Sequence, residues 1–171
     1  MRIVLPEPCL VVLVGAAGSG KSTLAARLFE AADVLSSDAY RALVSGDPAD
    51  QGATRVAFSI LHRELDRRLA NRRTTVVDAT NVTAYARRSL TRRAARHGVP
   101  AAAIVLDLDP KLVQARNATR EGRIVPGEAV AQQLESLARS LRHGALEAEG
   151  FAAVHVIRTA DELDELTLTR P

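Results

Sequence analysis

A glycine-rich stretch near the start of the chain has the composition of a phosphate-binding loop. Residues Gly15–Ser22, GAAGSGKS, fit the pattern G-x-x-x-x-G-K-[ST], with an apolar run before them and a helical pattern after them. Glycines let the backbone point successive N–H groups at phosphate oxygens, and the helix that begins there adds its positive end. Lys21 offers a mobile charge to the β- and γ-phosphates, and the Ser22 hydroxyl is placed to ligate Mg²⁺. The stretch predicts that a nucleoside triphosphate with Mg²⁺ binds at Gly15, Gly18, Ser19, Gly20, Lys21, Ser22 and Thr23.

Asp38 lies in the stretch SSDAYR, which follows the phosphate loop by one helix and one short strand. Aspartate is a preferred N-cap, and transfer of a phosphoryl group to an alcohol needs a carboxylate within hydrogen-bond reach of that hydroxyl. The two roles are compatible because a carboxylate has spare lone pairs. The residues alone therefore leave open whether Asp38 caps the helix, accepts a proton or does both. Arg41, three residues further on, is expected on the same helix face, where it would hold a phosphate of the acceptor.

Asp78 ends the apolar run TTVVD, which is typical of a second-strand acid that holds Mg²⁺ directly or through water. Many proteins that hydrolyse ATP carry a glutamate next, which activates water, whereas Ala-Thr-Asn follows here. The guanine-recognition sequence N-K-x-D does not occur in the chain. These features favour phosphoryl transfer to an acceptor over hydrolysis.

Arg116, Arg120 and Arg123 follow one another from the end of one predicted helix into a charged loop. On a continuing helix they would share one face. A mobile segment with several arginines can close over a nucleotide, place positive charge on the γ-phosphoryl group and stack on adenine. The alternative is a solvated face paired with Glu121 and Glu128. Because a phosphate loop and a candidate base precede this segment, we favour the lid.

Two further groups of arginines lie on predicted helices, and either could contact a nucleic-acid backbone. Arg88, Arg92 and Arg96 form a stripe along one of these helices. Aromatic side chains that would stack on bases make up only 3% of the chain, so we interpret both groups as solvated helix faces. The second group comprises Arg63, Arg67, Arg68, Arg72 and Arg73.

The elements that would position these residues alternate between buried strands and amphipathic helices. The apolar runs show no polar alternation, as in strands buried on both faces of a parallel sheet, and Leu61, Leu65 and Leu69 form an i, i+4 row on a long predicted helix. The pattern predicts an α/β fold of the P-loop NTPase type, with a central parallel sheet of about five strands, helices on both faces and an arginine-bearing lid. Strands are expected at 10–14, 34–35, 74–77, 102–106 and 154–157, and helices at 22–31, 54–71, 83–97, 110–120, 127–141 and 161–168.

The composition agrees with a single folded domain. The chain has 171 residues, of which 47% are apolar and 25% charged. Cys9 is the single cysteine, so no intramolecular disulfide or cysteine metal site can form, which indicates a reducing, cytoplasmic setting. Pro6 and Pro8 interrupt the apolar start of the chain, and no other run is long enough to span a bilayer, so we expect no membrane partner.

From about residue 10 to residue 157 the sequence resembles the kinase domain of the bacterial polynucleotide kinase-phosphatases, a family of RNA end-healing enzymes. Four stretches carry the resemblance: LVVLVGAAGSGKST, LSSDAYRALVSGDPADQGAT, TTVVDATNVTAYARR and ARNATREGRIV. Many P-loop families share the first of these. The pattern SSD-x-x-R with D-x-x-D-Q-x-A-T after it, and the stretch VVDATN, are more particular to this family.

The resemblance implies ATP- and Mg²⁺-dependent phosphorylation of the 5′-hydroxyl end of RNA or DNA. In this family's pattern Asp38 matches the general base and Arg41 the residue that holds the acceptor's phosphate, so we interpret Asp38 as a proton acceptor as well as a cap. The resemblance thus implies catalytic roles for Lys21, Asp38, Arg41, Arg116 and Arg123, contacts to ATP from Arg116, Arg120 and Arg123, and metal contacts from Ser22 and Asp78.

This chain also departs from the family's pattern. In that family a phosphatase and a ligase-like domain follow the kinase, whereas this chain ends at Pro171 and has no Gly-Asp-x-His-Gly phosphatase signature. We therefore expect a single P-loop kinase domain over residues 1–171, either excised from a longer end-healing protein or acting alone. Two alternatives stay open: a kinase for a small-molecule hydroxyl, such as a sugar, antibiotic or nucleoside, and a nucleotide-binding switch that transfers nothing. The sequence also leaves open whether the chain forms a homodimer.

Overall fold

Apolar segments of the chain form the strands of two parallel sheets in the computed structural model, which describes residues 1–120, 124–142 and 145–169. Each strand predicted from the sequence is present, shifted or extended by no more than one residue. Arg123 of the predicted lid lies outside the described residues. The strands are β1 (Arg2–Val4), β2 (Leu10–Val14), β3 (Val34–Ser36), β4 (Thr75–Asp78), β5 (Ala101–Leu106), β6 (Ala153–Ile157) and β7 (Thr167–Thr169).

Helices connect the strands of the larger sheet, and several of them begin at a residue whose side chain caps the helix. Asp109 accepts a hydrogen bond from the backbone of Lys111 at 2.7 Å, with Pro110 at the first helical position, as the sequence predicts. Within the three described ranges we find no helix with the length and apolar surface that a membrane span requires. The helices are α1 (Lys21–Leu28), α2 (Ser37–Ser45), α3 (Thr54–Ala70), α4 (Ala84–Arg96), α5 (Pro110–Ala118), α6 (Gly127–Arg142) and α7 (Ala160–Asp164).

The larger sheet has five parallel strands among the described residues, in the order β3–β4–β2–β5–β6, and helices cover both of its faces. Successive side chains of β2 therefore enter two different cores. Val11 packs in one core with Leu24 of α1 and Val113 of α5, and Val12 packs in the other with Leu61 of α3. This double burial explains why the strands are continuous apolar runs. The α/β fold of the P-loop type is confirmed.

The end of the chain differs from the prediction of a helix over 161–168. The helix α7 covers only Ala160–Asp164 and is followed by β7, which pairs in parallel with β1 in a second, two-stranded sheet. A capping box formed by Thr159 and Glu162 starts the helix, as its sequence allows. The segment after it pairs Leu168 with Ile3, a fully buried core residue, so burial of an apolar pair overrides the helical pattern.

Candidate functional site

The phosphate loop joins β2 to α1 and is shaped by glycines in conformations that other residues avoid. Gly18 and Gly20 have φ values of +86° and +96°. A Cβ atom on Gly18 would lie 2.5 Å from the carbonyl oxygen of Val113 in α5. Gly18 is therefore needed both for its backbone conformation and for the close approach of α5.

Two side chains hold the phosphate loop from either side. The Nζ of Lys21 donates a hydrogen bond to the carbonyl of Ala16 at 2.8 Å and contacts the Ser19 hydroxyl at 3.4 Å. Gln133 of α6 accepts a hydrogen bond from the backbone N–H of Ala17 at 2.8 Å. The sequence patterns identify Lys21 but not Gln133, because α6 is distant in the chain from the loop that it supports. The loop is thus preorganised, with the Lys21 ammonium lying across it.

Sheet register brings Asp78 next to the phosphate loop. It pairs with Leu13 across β2 and β4, and the backbone N–H of Gly15 donates to the carbonyl of Thr80 at 2.9 Å. Burial raises the pKa of Asp78, and a side-chain hydrogen bond from Ser22 and the charge of Lys21 act against this rise. The hydroxyl and the carboxylate therefore adjoin, as the sequence predicts for the two metal residues.

These oxygen donors suit Mg²⁺, which is commonly bound by one or two carboxylates together with substrate phosphates and waters. In the part of the chain that the structure describes, no group of three or more His, Cys, Asp or Glu side chains could hold a metal ion by itself. The donor set of Ser22 and Asp78 thus fits a cation that arrives with the nucleotide.

Asp38 lies in the first turn of α2, but it is not the cap. Ser36, the last residue of β3, has extended backbone angles and accepts a hydrogen bond from the N–H of Ala39 at 3.4 Å, which makes it the N-cap. The prediction that Asp38 caps the helix was therefore wrong, since the helix begins before it. The carboxylate of Asp38 instead accepts a hydrogen bond from the Arg41 guanidinium.

Arg41 shares a helix face with Asp38, as their spacing predicts, and its side chain is buried. Its Nε donates to the carbonyl of Pro48 at 2.9 Å, and an Nη atom lies 3.5 Å from the Ser37 hydroxyl. These contacts fix the guanidinium beside the candidate proton acceptor. The phosphate-binding role of Arg41 stays a prediction.

Two of the three predicted lid arginines lie beside the phosphate loop. Arg116 is in the last turn of α5, and an Nη of Arg120 lies 3.8 Å from the carboxylate of Asp38. The buried side chain of Asn117 bonds both the carbonyl and the N–H of Val125, at 2.8 and 3.2 Å. This pair of bonds ties the end of α5 to the segment before α6. The role of the arginines as a closing lid stays a prediction.

Two cavities meet at the phosphate loop. The first, of about 370 Å³, extends from Gly18 to Arg27 and Leu163 and contains Thr23 and Arg116. The second, of about 190 Å³, is formed largely by α2, α3 and the end of β4. We call them, after the roles proposed below, the nucleotide cavity and the acceptor cavity. Lys21, Ser22 and Arg120 line both, whereas the following residues line the acceptor cavity and not the nucleotide cavity: Asp38, Arg41, Gln51, Thr54, Phe58, Asp78 and Gln133.

The sequence patterns do not identify some of the residues that line these cavities. Arg27 donates hydrogen bonds to the backbone carbonyls of Leu163 and Asp164, which closes the far wall of the nucleotide cavity. Phe58 reaches the acceptor cavity from the second turn of α3. An apolar residue in a helical pattern, or an arginine near a helix end, carries no signal that separates such a wall from an ordinary surface.

The sequence matches the family model AAA_33, described as an AAA domain, over residues 10–142. No curated protein matches the chain significantly. Among solved structures, the chain is similar to one in the Pnkp1/Rnl/Hen1 RNA repair complex, with a TM-score of 0.68, 21% identity and coverage of 81% of this chain and 47% of that one. This chain thus spans about half the length of that relative.

Two further solved structures share the fold. A gluconokinase from Sinorhizobium meliloti has a TM-score of 0.60 and 23% identity, with coverage of 94% of this chain and 88% of that one. The AvrRxo1-ORF1:-ORF2 complex with ATP contains a chain with a TM-score of 0.67 and 15% identity, with coverage of 91% and 56%. At these identities the likeness shows the fold and leaves the acceptor undecided.

Proposed function

The chain belongs to the AAA_33 family of AAA domains, and we propose that it is an ATP-dependent kinase for the 5′-hydroxyl end of a polynucleotide. The observation that carries this proposal is the position of Asp38 and Arg41 in a cavity that meets the nucleotide cavity at Lys21. A proton acceptor and a phosphate-binding cation thus lie together on the acceptor side of the phosphate loop.

In the proposed reaction, Asp38 accepts the proton of the 5′-hydroxyl while that oxygen attacks the γ-phosphorus in line. The bond from the γ-phosphorus to the bridging oxygen breaks, and ADP leaves. Lys21 and Arg120 lie between the two cavities, where their charges stabilise the phosphoryl group as it crosses. Ser22 and Asp78 would hold Mg²⁺, which would supply positive charge to the phosphates of the nucleotide.

The guanidinium group of Arg41 favours a polynucleotide as the acceptor. A guanidinium presents donors in a fixed fork that matches phosphate geometry, and the phosphate that follows the terminal nucleoside is the nearest anion to a reacting 5′-hydroxyl. Gln51 and Thr54, which belong to the stretch that resembles polynucleotide kinases, line the same cavity. The part of the sequence that carries the resemblance thus surrounds the proposed acceptor.

The same proposal extends to the setting of the domain. We propose that residues 1–171 form one kinase domain that works with phosphatase and ligase-like domains, since a structural relative is a longer chain in an RNA repair complex. A cytoplasmic location fits the single cysteine of the chain, Cys9, which is buried.

Transfer of labelled γ-phosphate to a panel of acceptors tests the proposed function. The panel contains single-stranded RNA and DNA oligonucleotides with a 5′-hydroxyl, gluconate and free nucleosides, and a 5′-phosphorylated oligonucleotide serves as the control. We expect label on the 5′-hydroxyl oligonucleotides and none on the control. Label on gluconate or a nucleoside alone would replace the proposal with a small-molecule kinase.

A further inference from the structure

A groove between α3 and α4 continues from the acceptor cavity. It has a volume of about 620 Å³, and Phe58 lines both the groove and the acceptor cavity. At two places, consecutive residues of the chain line first the acceptor cavity and then the groove. Thr54 and Thr80 line the acceptor cavity, and the residues that follow them, Arg55 and Asn81, line the groove. A chain that leaves the acceptor cavity therefore has an open path between the two helices.

Aromatic side chains of both helices line the groove, and Tyr85 is the exposed one among them. Tyr85, in the first turn of α4, is 88% exposed. Phe58 and His62 face each other on α3 with ring centroids 5.9 Å apart. In a chain with few aromatic residues, these rings lie together beside the acceptor cavity. An exposed ring such as that of Tyr85 is a surface on which nucleic-acid bases stack.

The charge of the groove is positive. A further cavity, of about 520 Å³, adjoins the groove, since Tyr85, Ser89 and Arg93 line both. No acidic side chain is among the described residues that line the two cavities. The arginines along this path are Arg55, Arg63, Arg92, Arg93 and Arg96.

Ion pairs with neighbouring acidic side chains neutralise only part of this positive charge. Asp66 of α3 pairs with Arg93 and lies 3.8 Å from Arg96. Arg55, Arg63 and Arg92 are exposed and form no ion pair with any residue that the structure describes. The interpretation of the α4 stripe as a solvated face therefore leaves unexplained why Arg92 and Arg96 line a cavity that adjoins the groove.

We propose that this groove binds the nucleotides that follow the reacting 5′ end, as a single strand whose bases stack on Tyr85 and whose phosphates pair with Arg55, Arg63 and Arg92. The proposal rests on the proposed function, because it extends the same acceptor site. Stacking needs unpaired bases, and spaced guanidinium groups suit a phosphate backbone. An acidic protein segment would use the charges but would leave the exposed ring without a role.

Acceptor length is the variable that tests the groove. Phosphorylation kinetics are compared for a 5′-hydroxyl dinucleotide, the shortest acceptor that contains the phosphate proposed to bind Arg41, and for a strand of about ten nucleotides, within the site size of single-strand binding folds. Binding of the longer strand, labelled at its 3′ end, is followed separately by fluorescence anisotropy. The variants are Tyr85→Ala, Arg63→Ala and, as a charge-matched control on α6, Arg139→Ala, whose side chain is exposed.

We expect the longer strand to have a lower KM than the dinucleotide. Tyr85→Ala should raise the KM and Kd of the longer strand about tenfold, with kcat and the dinucleotide kinetics unchanged. Arg63→Ala should reduce the slope of log affinity against log salt by about one. Arg139→Ala should behave as the native protein. All three positions are exposed, so loss of folding is not expected to contribute.

The outcomes separate the two proposals. Transfer to both acceptors with no dependence on length or on Tyr85 overturns the groove and leaves the proposed function intact. Binding of the longer strand that depends on Tyr85, without transfer to either acceptor, supports the groove and overturns the proposed function. Absence of both strand binding and phosphoryl transfer overturns both proposals.

Discussion

Arg87 and Glu149 form a bidentate ion pair in the interior, with Nε–Oε2 and Nη2–Oε1 distances of 2.6 and 2.8 Å and both side chains fully buried. Another Nη atom of Arg87 donates to the carbonyl of Asn81 at 3.0 Å. The Asn81 amide in turn donates to the carbonyl of Leu13, at the end of β2, at 2.8 Å. The ion pair thus supports the backbone that follows Asp78, at its contact with the end of β2.

Replacement of Arg87 by methionine should destabilise the protein strongly. It leaves the Glu149 carboxylate buried without its cation, and removal of one member of a buried pair costs about 3–5 kcal/mol. Urea unfolding measures the loss. The neighbouring Arg88→Met is the control, because Arg88 is exposed and a surface change should stay within about 0.5 kcal/mol. Equal unfolding midpoints for the two variants would contradict the structural role of the pair.

Glu64 should make stability depend on pH in the acid range. Hydrogen bonds from Arg67 and Arg68 lower the pKa of Glu64 from 4.5 to about 2. Because the folded-state pKa is the lower one, the contribution is present above 4.5 and is lost as the pH falls toward 2. The native protein should therefore lose more stability between neutral and acid pH than Glu64→Gln does. Parallel curves of unfolding free energy against pH for the two proteins would refute this.

Gly18→Ala should impair nucleotide binding and stability through a collision as well as backbone strain. Gly98 provides the matched control, since it also has a positive φ, of +63°, but has open space where a Cβ would lie. The control should show only the strain of the left-handed backbone, about 1–2 kcal/mol. Calorimetric titration with ATP and thermal unfolding compare the two variants. If Gly18→Ala binds ATP as Gly98→Ala does, close contact with α5 does not shape the loop.

The parts of the site that could be predicted are those whose function depends on adjacent residues. The phosphate loop needs its glycines, Lys21 and Ser22 in one continuous stretch, and the apolar run before Asp78 marks a buried strand that ends at the same edge of the sheet. The position of Arg41 on the same helix face as Asp38 was predicted from their spacing in the sequence. Local sequence patterns therefore identified most of the proposed catalytic residues.

Other features depend on contacts or competition that local patterns do not show. Ser36, Ser37 and Asp38 are all good capping residues in sequence, and only the point where β3 ends decides that Ser36 caps the helix. Gln133 supports the phosphate loop from a helix far along the chain, and the groove combines residues of α3 and α4. The pairing of β7 with β1 joins the two ends of the described chain, which no window of sequence contains.

The role of Asp38 as proton acceptor is the central claim, and phosphoryl transfer by Asp38→Asn tests it most directly. Transfer of labelled γ-phosphate to a 5′-hydroxyl oligonucleotide is measured together with ATP binding, with Asp33→Asn as the control, since Asp33 pairs with Arg73 at 3.7 Å and lines neither cavity. We predict that Asp38→Asn binds ATP as the native protein does while kcat falls about a hundredfold or more, with little change in the control. Native rates of transfer by Asp38→Asn would contradict the account.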